Sequence, residues 1–363
     1  MSNPSTRPLS PNVPRTGLRV LVVGAGSVGQ VFARHYQLGG AAVTFFVREK
    51  YRAEVARGFD MYPLNRRAGR RGEAVRFDGF DVVTRVDEVA GRGFDQVMIT
   101  VASPALRGPW LAELIAAAGD ATIVALQPGL DDRGLLVAAG ADERRLVQGL
   151  ISLISYHAPL PGETRFARPG MAYWFPPMGP SPFSGPADRV AAVVGALKAG
   201  RLPAKRHKDV GKMAGFPTAV MMPYLVALEL GGWTVRGAVK SDKLALGGRG
   251  AREAIAVVRA RLGKPPFGIG FLARPRVLRA GLWLAKPLIP LPLEIYLQEH
   301  FTKVGEQTRE FLDGYVEKGQ AAGLQVSALQ QLARELSAGR TGRTPPPARD
   351  APGTARPGAA SAP

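Results

Sequence analysis

A glycine-rich turn near the start of the chain has the spacing of a phosphate-binding loop. A short apolar run, Leu18–Val23, leads directly into the turn, which reads Gly24-Ala25-Gly26-Ser27-Val28-Gly29. In such a strand–turn–helix the first glycine permits the tight turn, the second lets a pyrophosphate approach the backbone, and the third lets helix and strand pack closely. The helix N-terminus adds free N–H groups and a positive dipole. We predict a dinucleotide site; the alternative is a glycine-rich turn without a ligand.

A cation follows the second strand-like run, where dinucleotide-binding proteins select their cofactor. The run Ala42–Val47 ends at Arg48, about twenty residues beyond the glycines. An acidic residue here binds both ribose hydroxyls of NAD, whereas a guanidinium can hold the 2′-phosphate of NADP with two hydrogen bonds. The sequence therefore favours NADP(H), with Lys50 or Arg52 adding charge. The alternative is that these cations are solvated and that Glu49 binds the ribose.

The elements around this turn alternate between strand-like and helix-like segments. Buried apolar runs predict strands at Leu18–Val23, Ala42–Val47, Gln96–Val101, Thr122–Leu126 and Leu146–Ile154. Helical patterns between them cover Val28–Leu38, Tyr51–Arg57 and Trp110–Ala118. This alternation predicts an N-terminal α/β Rossmann-like domain, which is a parallel sheet with helices on both faces.

The second half is predicted to be all helical. An amphipathic helix covers Pro186–Ala199, no alternating strand pattern follows Lys208, and Leu293–Lys318 reads as one long amphipathic helix. The Pro-rich ends have no periodic apolar pattern and are predicted to be disordered. We divide the chain into a tail (1–16), an NADP-binding domain (17–205), a helical substrate and dimerisation domain (206–337) and a second tail (338–363).

The composition argues against several classes of chemistry. There is no cysteine, and the 4 histidines show no zinc-ligand spacing, so disulfides, thiolate nucleophiles and metal sites are not expected. The formal net charge of +19 invites a nucleic-acid interpretation. Part of that excess lies in the tails, however, and no basic stretch is interleaved with aromatic residues. We therefore expect no nucleic-acid partner.

No secretory signal and no membrane span are predicted, so the expected location is the cytoplasm. Residues 1–16 have no apolar core. The nearest approach to a span is Gly268–Leu293, which arginines, a lysine and prolines interrupt. Two interpretations stay open for this segment: contact with a membrane surface, or a cover over an active site. The long helices after Gly268 also offer surface for a homodimer.

These features resemble the ketopantoate reductase (2-dehydropantoate 2-reductase) family over roughly residues 18–336. The glycine turn, Arg48 and the helical second half carry the resemblance, together with three stretches. These are Val55-Ala56-Arg57-Gly58-Phe59, where the family often has a helix and a glycine before a short strand; Asp209-Val210-Gly211-Lys212-Met213-Ala214, where it has W-x-K-L-A; and Leu293-Glu294-Ile295-Tyr296-Leu297, where it has a Glu-bearing helix start, commonly E-I-D-Y.

The resemblance implies reduction of a 2-oxo acid by NADPH in a cleft between two domains. Lys212 matches the lysine that polarises the substrate carbonyl and donates a proton, a role that suits a partly desolvated ammonium. Glu294 matches the active-site carboxylate. The plain alternatives are a surface lysine in a basic stretch and an acidic residue favoured by a helix N-terminus.

The sequence departs from the family pattern at three places, two assigned to the cofactor and one to the substrate. Ala102 stands where the family has a lysine, and Gln127-Pro128-Gly129 stands where it has Asn-Gly near the nicotinamide. Ala102, Gln127 and Gly129 are still assigned to cofactor binding. Phe216 and its apolar neighbours stand where the family has asparagines that hold the substrate. We therefore expect a more apolar 2-oxo acid, or a related carbonyl or imine, rather than ketopantoate.

A further polar set lies on the long predicted helix. His300, Lys303 and Gln307 are spaced i, i+3 and i+7 and so share one face. If that face looks into the cleft, His300 and Lys303 replace the missing cation and proton donor; the alternative is a solvated face.

Two other functions stay open: a non-catalytic NADP(H)-binding sensor or interaction protein, and a membrane-surface oxidoreductase that uses 268–293 with a lipidic substrate.

Overall fold

The computed structural model describes residues 17–177, 179–285, 288–303 and 305–341, which form twelve strands and thirteen α-helices. The strands are β1 (Arg19–Val23), β2 (Ala42–Phe46), β3 (Phe59–Pro63), β4 (Val75–Phe77), β5 (Asp81–Val83), β6 (Gln96–Ile99), β7 (Thr122–Ala125), β8 (Leu146–Gly149), β9 (Ile154–Ala158), β10 (Gly170–Trp174), β11 (Ser181–Ser184) and β12 (Ala204–Arg206). The helices are α1 (Ser27–Leu38), α2 (Arg52–Ala56), α3 (Trp110–Ala117), α4 (Asp132–Ala138), α5 (Ala187–Ala199), α6 (Val210–Leu230), α7 (Val235–Lys240), α8 (Lys243–Leu262), α9 (Ile269–Leu272), α10 (Pro275–Ala285), α11 (Leu293–Lys303), α12 (Gly305–Ala321) and α13 (Ser327–Thr341).

Eight strands form the main sheet, in the order β12-β11-β8-β7-β6-β1-β2-β5. The strands from β8 to β5 pair in parallel, and β11 runs antiparallel to β8. Side chains of β1 alternate between two cores: Val20 and Val22 face α1 and α5, whereas Leu21 and Val23 face α3 and α4. The predicted Rossmann-like domain is confirmed.

A second sheet of four strands, ordered β4-β3-β10-β9, was missing from the prediction. Its pairings join residues 59–77 to residues 154–174, so no local pattern announces them. The predicted strand Leu146–Ile154 is wrong as a single element, because β8 ends at Gly149 and Ile154 begins β9 in this second sheet. The predicted helix at residues 51–57 is shorter: α2 follows a 3-10 turn at residues 49–51.

The second half is helical, as predicted, and α6 lies at its centre against α8, α12 and α13. Glycines of α8 allow the close approach, since a Cβ on Gly247 would lie 2.9 Å from the Cβ of Ala227. By length and composition α6 is the one described helix that could cross a membrane, but 72% of that window is buried inside the protein. This burial is typical of a core helix.

Several predicted boundaries move in this half. The single helix expected at 293–318 is described as α11 and α12, and Val304 between them lies outside the described residues. Residues 338–341, expected in a tail, belong to α13, and the expected domain boundary at 205/206 falls inside β12. The predicted tails otherwise lie outside the described residues.

The two halves are joined on two sides. On one side α11 packs on the second sheet, where Tyr296 and Tyr156 have ring centroids 5.9 Å apart within a shared apolar core. On the other side Asp131, before α4, forms ion pairs with Arg261 of α8 (2.8 Å) and Lys318 of α12 (2.6 Å). A further ion pair joins Arg107 to Glu310 at 2.7 Å.

Candidate active site

The glycine turn has the geometry that its spacing predicted. Gly24 has a φ of +96°, and its N–H donates to the Phe46 carbonyl oxygen at 3.0 Å. A Cβ on Gly29 would overlap the Gly24 carbonyl oxygen and lie 2.8 Å from Thr100 Oγ1. Gly24 therefore requires glycine because of its positive φ, and Gly29 requires it because a side chain would push α1 away from β1.

The N-terminus of α1 is open toward a ligand. Gly26 precedes the helix, no side chain caps it, and a Cβ there would meet no atom within 4 Å. Ser27 and Val28 form the first helical turn, and the carbonyl oxygen of Ala25 accepts a hydrogen bond from the Gln30 side chain at 2.8 Å. The arrangement leaves N–H groups of the first turn available to an anion.

Thr100 is a residue of this site that sequence reasoning missed. Its hydroxyl donates to the Val23 carbonyl oxygen at 2.8 Å, and its N–H donates to the same oxygen at 3.0 Å. It therefore holds the carboxyl ends of β1 and β6 together beneath the turn. A threonine directly after a buried apolar run was the available signal, but threonine is too common in strands for that signal to be specific.

Arg48 lies directly after β2, at the position that selects the cofactor. Its exposed guanidinium stacks 5.1 Å from the Tyr51 ring centroid and donates to the Tyr51 hydroxyl at 3.2 Å. No acidic side chain among the described residues pairs with it. Glu49, the alternative ribose ligand, instead accepts a hydrogen bond from Thr84 and lies 3.7 Å from Arg52. The cation is available to a ligand, whereas the carboxylate is engaged.

The loops after β6 and β7 meet at the same edge of the sheet. Gln127 donates to the carbonyl oxygens of Val101 (2.7 Å) and Ile99 (3.1 Å). Its Oε1 is buried and has no hydrogen-bond partner within the described part of the chain. Ala102 is exposed at the end of β6. A buried acceptor without a partner beside the glycine turn suits a ligand that donates a hydrogen bond, such as a carboxamide.

Asp132 explains why Gly129 is a glycine. The Asp132 carboxylate accepts from the Gly129 N–H at 2.6 Å and from the Ser103 hydroxyl at 2.8 Å, and a Cβ on Gly129 would collide with that carboxylate. Burial raises the pKa of Asp132. The Gly129 N–H is therefore already used inside the protein. Its contribution to a cofactor is to let the loops after β6 and β7 lie together.

Lys212 lies in the first turn of α6, partly buried, where Asp209 caps the helix through the Lys212 N–H at 2.8 Å. This end of α6 approaches the main sheet at two points. The Cβ position of Gly211 lies 3.7 Å from Gln148 Oε1, and that of Gly215 lies 3.7 Å from Leu130 Cδ2. The backbone of Lys212 therefore lies near the carboxyl ends of β7 and β8, which are two and three strands, or about 10 and 14 Å, across the sheet from β1.

Phe216, one turn beyond Lys212, is fully buried in the helical core. The neighbouring Gly215 packs closely on α8, because a Cβ there would lie 2.8 Å from Leu262 Cδ1. Phe216, which stands where the family has an asparagine, is therefore part of the packing between α6 and α8. No polar group of this turn is left to hold a substrate.

The structure does not bring Glu294 to Lys212. The Glu294 carboxylate accepts from the Val235 N–H, at the start of α7, at 3.1 Å. That start lies beside the far end of α6, because the Trp233 N–H donates to the Leu228 carbonyl oxygen at 2.7 Å. At a rise of about 1.5 Å per residue, Lys212 and Leu228 lie about 24 Å apart. Glu294 caps α7, and we leave it out of the catalytic set.

His300 lies beside two aromatic residues of its own helix, α11. Its ring stacks on Tyr296 with centroids 5.3 Å apart and meets Phe301 edge-on at 4.9 Å. Burial, assisted by the charge of Lys303, lowers the pKa of His300 to about 4. No hydrogen bond or ring contact among the described residues joins it to Lys212 or the glycine turn. Its role as a proton donor therefore stays a prediction.

The region with the glycine turn, Arg48, the second sheet and the parallel strands of the main sheet matches a known family. Residues 20–179 match the family described as ketopantoate reductase PanE/ApbA. Over these residues the chain is similar to the PanE/ApbA family, and the resemblance stated from the sequence is confirmed. Members of this family are NAD(P)H-dependent oxidoreductases. No curated protein sequence matches the chain significantly.

Solved structures share the fold over most of the chain. A PanE/ApbA family ketopantoate reductase from Ralstonia eutropha JMP134 has a TM-score of 0.67 at 16% identity, covering 88% of this chain and 98% of its own. The 2-dehydropantoate 2-reductase from Geobacter metallireducens GS-15 has a TM-score of 0.64 at 16% identity, covering 89% and 100%. D-mandelate dehydrogenase with NADH and anilino(oxo)acetate has a TM-score of 0.64 at 12% identity, covering 88% and 98%. The helical second half is thus part of the same fold.

Proposed function

We propose that this chain is an NADPH-dependent oxidoreductase that reduces a 2-oxo acid, or a related carbonyl or imine, in the cleft between its two halves. The observation that carries the proposal is the approach of the first turns of α6 to the carboxyl ends of β7 and β8. This approach, seen at Gly211 and Gly215, supports the assignment of Lys212 between them to the sheet edge that also holds the open N-terminus of α1. In parallel α/β sheets, ligands bind at this edge.

The choice of NADPH over NADH rests on charge at the end of β2. Arg48 is exposed and unpaired by any acidic group among the described residues, while Glu49 is engaged by Thr84 and Arg52. A guanidinium binds a phosphate with charge-assisted hydrogen bonds, whereas a carboxylate repels it. The site therefore suits the 2′-phosphate of NADPH.

The reaction requires one hydride and one proton. NADPH supplies the hydride to the carbonyl carbon when it is bound. As the carbon–oxygen double bond becomes single, negative charge develops on the oxygen, and we assign the Lys212 ammonium to stabilise that charge and transfer the proton. The products are a 2-hydroxy acid and NADP, and solvent reprotonates Lys212.

The substrate is proposed to be more apolar than ketopantoate. The turn of α6 beyond Lys212 is occupied by buried Phe216 and by Gly215 packed on Leu262, so it presents no amide for a hydroxyl-bearing chain. The structurally similar D-mandelate dehydrogenase was solved with anilino(oxo)acetate, an oxamate that carries an aromatic ring beside its carboxylate. Aryl and branched-alkyl 2-oxo acids are therefore the first compounds to test.

The test is NADPH oxidation with a panel of 2-oxo acids, aldehydes, ketones and cyclic imines, using wild type and Lys212→Ala. General acid catalysis contributes about 100-fold or more, so we expect kcat to fall by at least that factor while the Kd for NADPH is kept. Lys205→Ala, which changes an exposed lysine of the same basic stretch, is the matched control. Full turnover by Lys212→Ala would overturn the role of this lysine.

A non-catalytic NADP(H)-binding protein, acting as a sensor or interaction module, is the second candidate. It is favoured by Ala102, which leaves the end of β6 without a cation, and by buried Phe216. Tight NADPH binding with no oxidation across the whole panel would favour this function over the enzyme.

A further inference from the structure

A patch of large apolar side chains is exposed on α9, α10 and their flanking loops. It contains Phe267, Phe271, Leu272, Trp283, Leu284 and Leu288, and we call it the α9–α10 patch. Phe267 is fully exposed, and Trp283 is 75% exposed. Exposed tryptophan and phenylalanine grouped on one segment are unusual for a free surface and mark an interaction site.

Basic residues share the exposed face of α10 with the tryptophan. Arg276, Arg279 and Trp283 are spaced i, i+3 and i+7, so they project from the same side of the helix. Leu278 lies on the other side and packs on the helical core. In α9, Phe271 lies 5.4 Å from the guanidinium of Arg274. The patch therefore combines aromatic rings with guanidinium groups.

The stretch of sequence that contains the α9–α10 patch carries no acidic residue. Between Glu253 and Glu294 the sequence has seven cations and no carboxylate, and they are Arg259, Arg261, Lys264, Arg274, Arg276, Arg279 and Lys286. Within the described residues, Lys264, Arg274, Arg276 and Arg279 are exposed and form no ion pair. Their positive field is therefore not neutralised by the protein.

The patch is held firmly by its buried side. Ile269 and Ala273 are buried in the helical core, and the Tyr224 hydroxyl donates to the Ala273 carbonyl oxygen at 2.8 Å. Pro275 fits against Gly248, where a Cβ would lie 2.8 Å from its ring. The exposed side chains are thus presented by anchored helices rather than by a free loop.

We propose that the α9–α10 patch docks on the surface of an anionic lipid bilayer. Basic residues attract anionic headgroups, and tryptophan and phenylalanine insert at the boundary between headgroups and acyl chains. A second copy of the chain fits less well, because a two-fold contact would place this acid-free basic surface against itself. The proposal is independent of the reductase activity.

The test is co-sedimentation of the full chain with vesicles of phosphatidylcholine alone and of phosphatidylcholine with phosphatidylglycerol. We expect binding only to the anionic vesicles, weakened by salt. A double variant, Arg276→Glu with Arg279→Glu, is expected to bind at least about 30-fold more weakly, since each basic residue near the surface contributes roughly fivefold. Arg67→Glu with Lys240→Glu is the matched control, because it makes the same change in net charge at exposed positions elsewhere.

Insertion is followed separately through Trp283. Of the other tryptophans, Trp174 and Trp233 are buried, and Trp110 lies partly buried on α3, outside the patch. A blue shift of tryptophan emission on anionic vesicles that is absent in Trp283→Phe therefore supports insertion of the patch. Three results would overturn the proposal. They are no binding to anionic vesicles, equal loss of binding in the control double variant, and a dimer in solution that Trp283→Ala dissociates.

Discussion

Replacing Arg48 by alanine is expected to remove the preference for NADPH while leaving NADH binding unchanged. The guanidinium is exposed, and within the described part of the chain Tyr51 alone holds it, so the substitution disturbs no packing and leaves no buried partner unsatisfied there. The fold and the glycine turn should therefore be intact in the variant.

The magnitude follows from the hydrogen bonds that the guanidinium can make. Two charge-assisted bonds to a phosphate stabilise a complex by about 3 kcal/mol or more in a buried site. Because Arg48 is exposed and screened by water, about 2 kcal/mol is the appropriate figure, which corresponds to about a 30-fold weaker Kd for NADPH. Arg48→Glu should raise the Kd for NADPH further, because its carboxylate repels the 2′-phosphate.

The assay is fluorescence titration of NADPH and NADH with wild type, Arg48→Ala and Arg57→Ala. Arg57 is an exposed arginine just beyond α2, so it controls for loss of general positive charge. An unchanged ratio of the two Kd values in Arg48→Ala would refute the assignment of the phosphate site. Equal weakening by Arg57→Ala would instead show that the effect is only long-range charge.

Three further predictions concern stability and the turn. Gly29→Ala should lower NADPH affinity at least tenfold and destabilise the fold, measured by titration and urea unfolding, because its methyl group would overlap the Gly24 carbonyl; unchanged affinity would contradict this. Asp132→Ala should lower the free energy of unfolding by about 2 kcal/mol in the same assay, because the Gly129 N–H and the Ser103 hydroxyl lose their acceptor. A decrease near zero would show that the Asp132 carboxylate does not hold the two loops together. Burial lowers the folded-state pKa of His300 to about 4, below its unfolded value, so its contribution to stability is full above about pH 6.5 and is lost as pH falls toward 4. On acidification from pH 7 to 4, the free energy of unfolding of His300→Phe should therefore fall by up to about 3 kcal/mol less than that of wild type. Equal decreases in the two proteins would argue against a buried neutral ring.

The sequence predicted the cofactor turn because every signal for it is local. Gly24, Gly26 and Gly29 lie in a six-residue turn, 24–29, between one apolar strand and one amphipathic helix. The backbone angles of the turn follow from those six residues. Arg48 was found in the same way, from its place at the end of the next strand.

What the sequence missed depends on residues far apart in the chain. The second sheet pairs segments about a hundred residues apart, and the bond between Ser103 and Asp132 joins the ends of two different strands. Glu294 shows the opposite failure. Its neighbouring letters match a motif at a helix start, but tertiary packing places that start beside α7, so local similarity alone does not bring Glu294 near Lys212.

The unequal joining of the two halves has a mechanical consequence. The apolar core shared by the second sheet and α11 would expose Tyr156 and Tyr296 to water if it opened, which is costly. The ion pairs of Asp131 and Arg107 on the other side are partly exposed, so each contributes about 1 kcal/mol or less and exchanges readily with water. We therefore expect the ion pairs to part and re-form more readily than the aromatic core, so that this side of the junction yields first when a ligand enters or leaves.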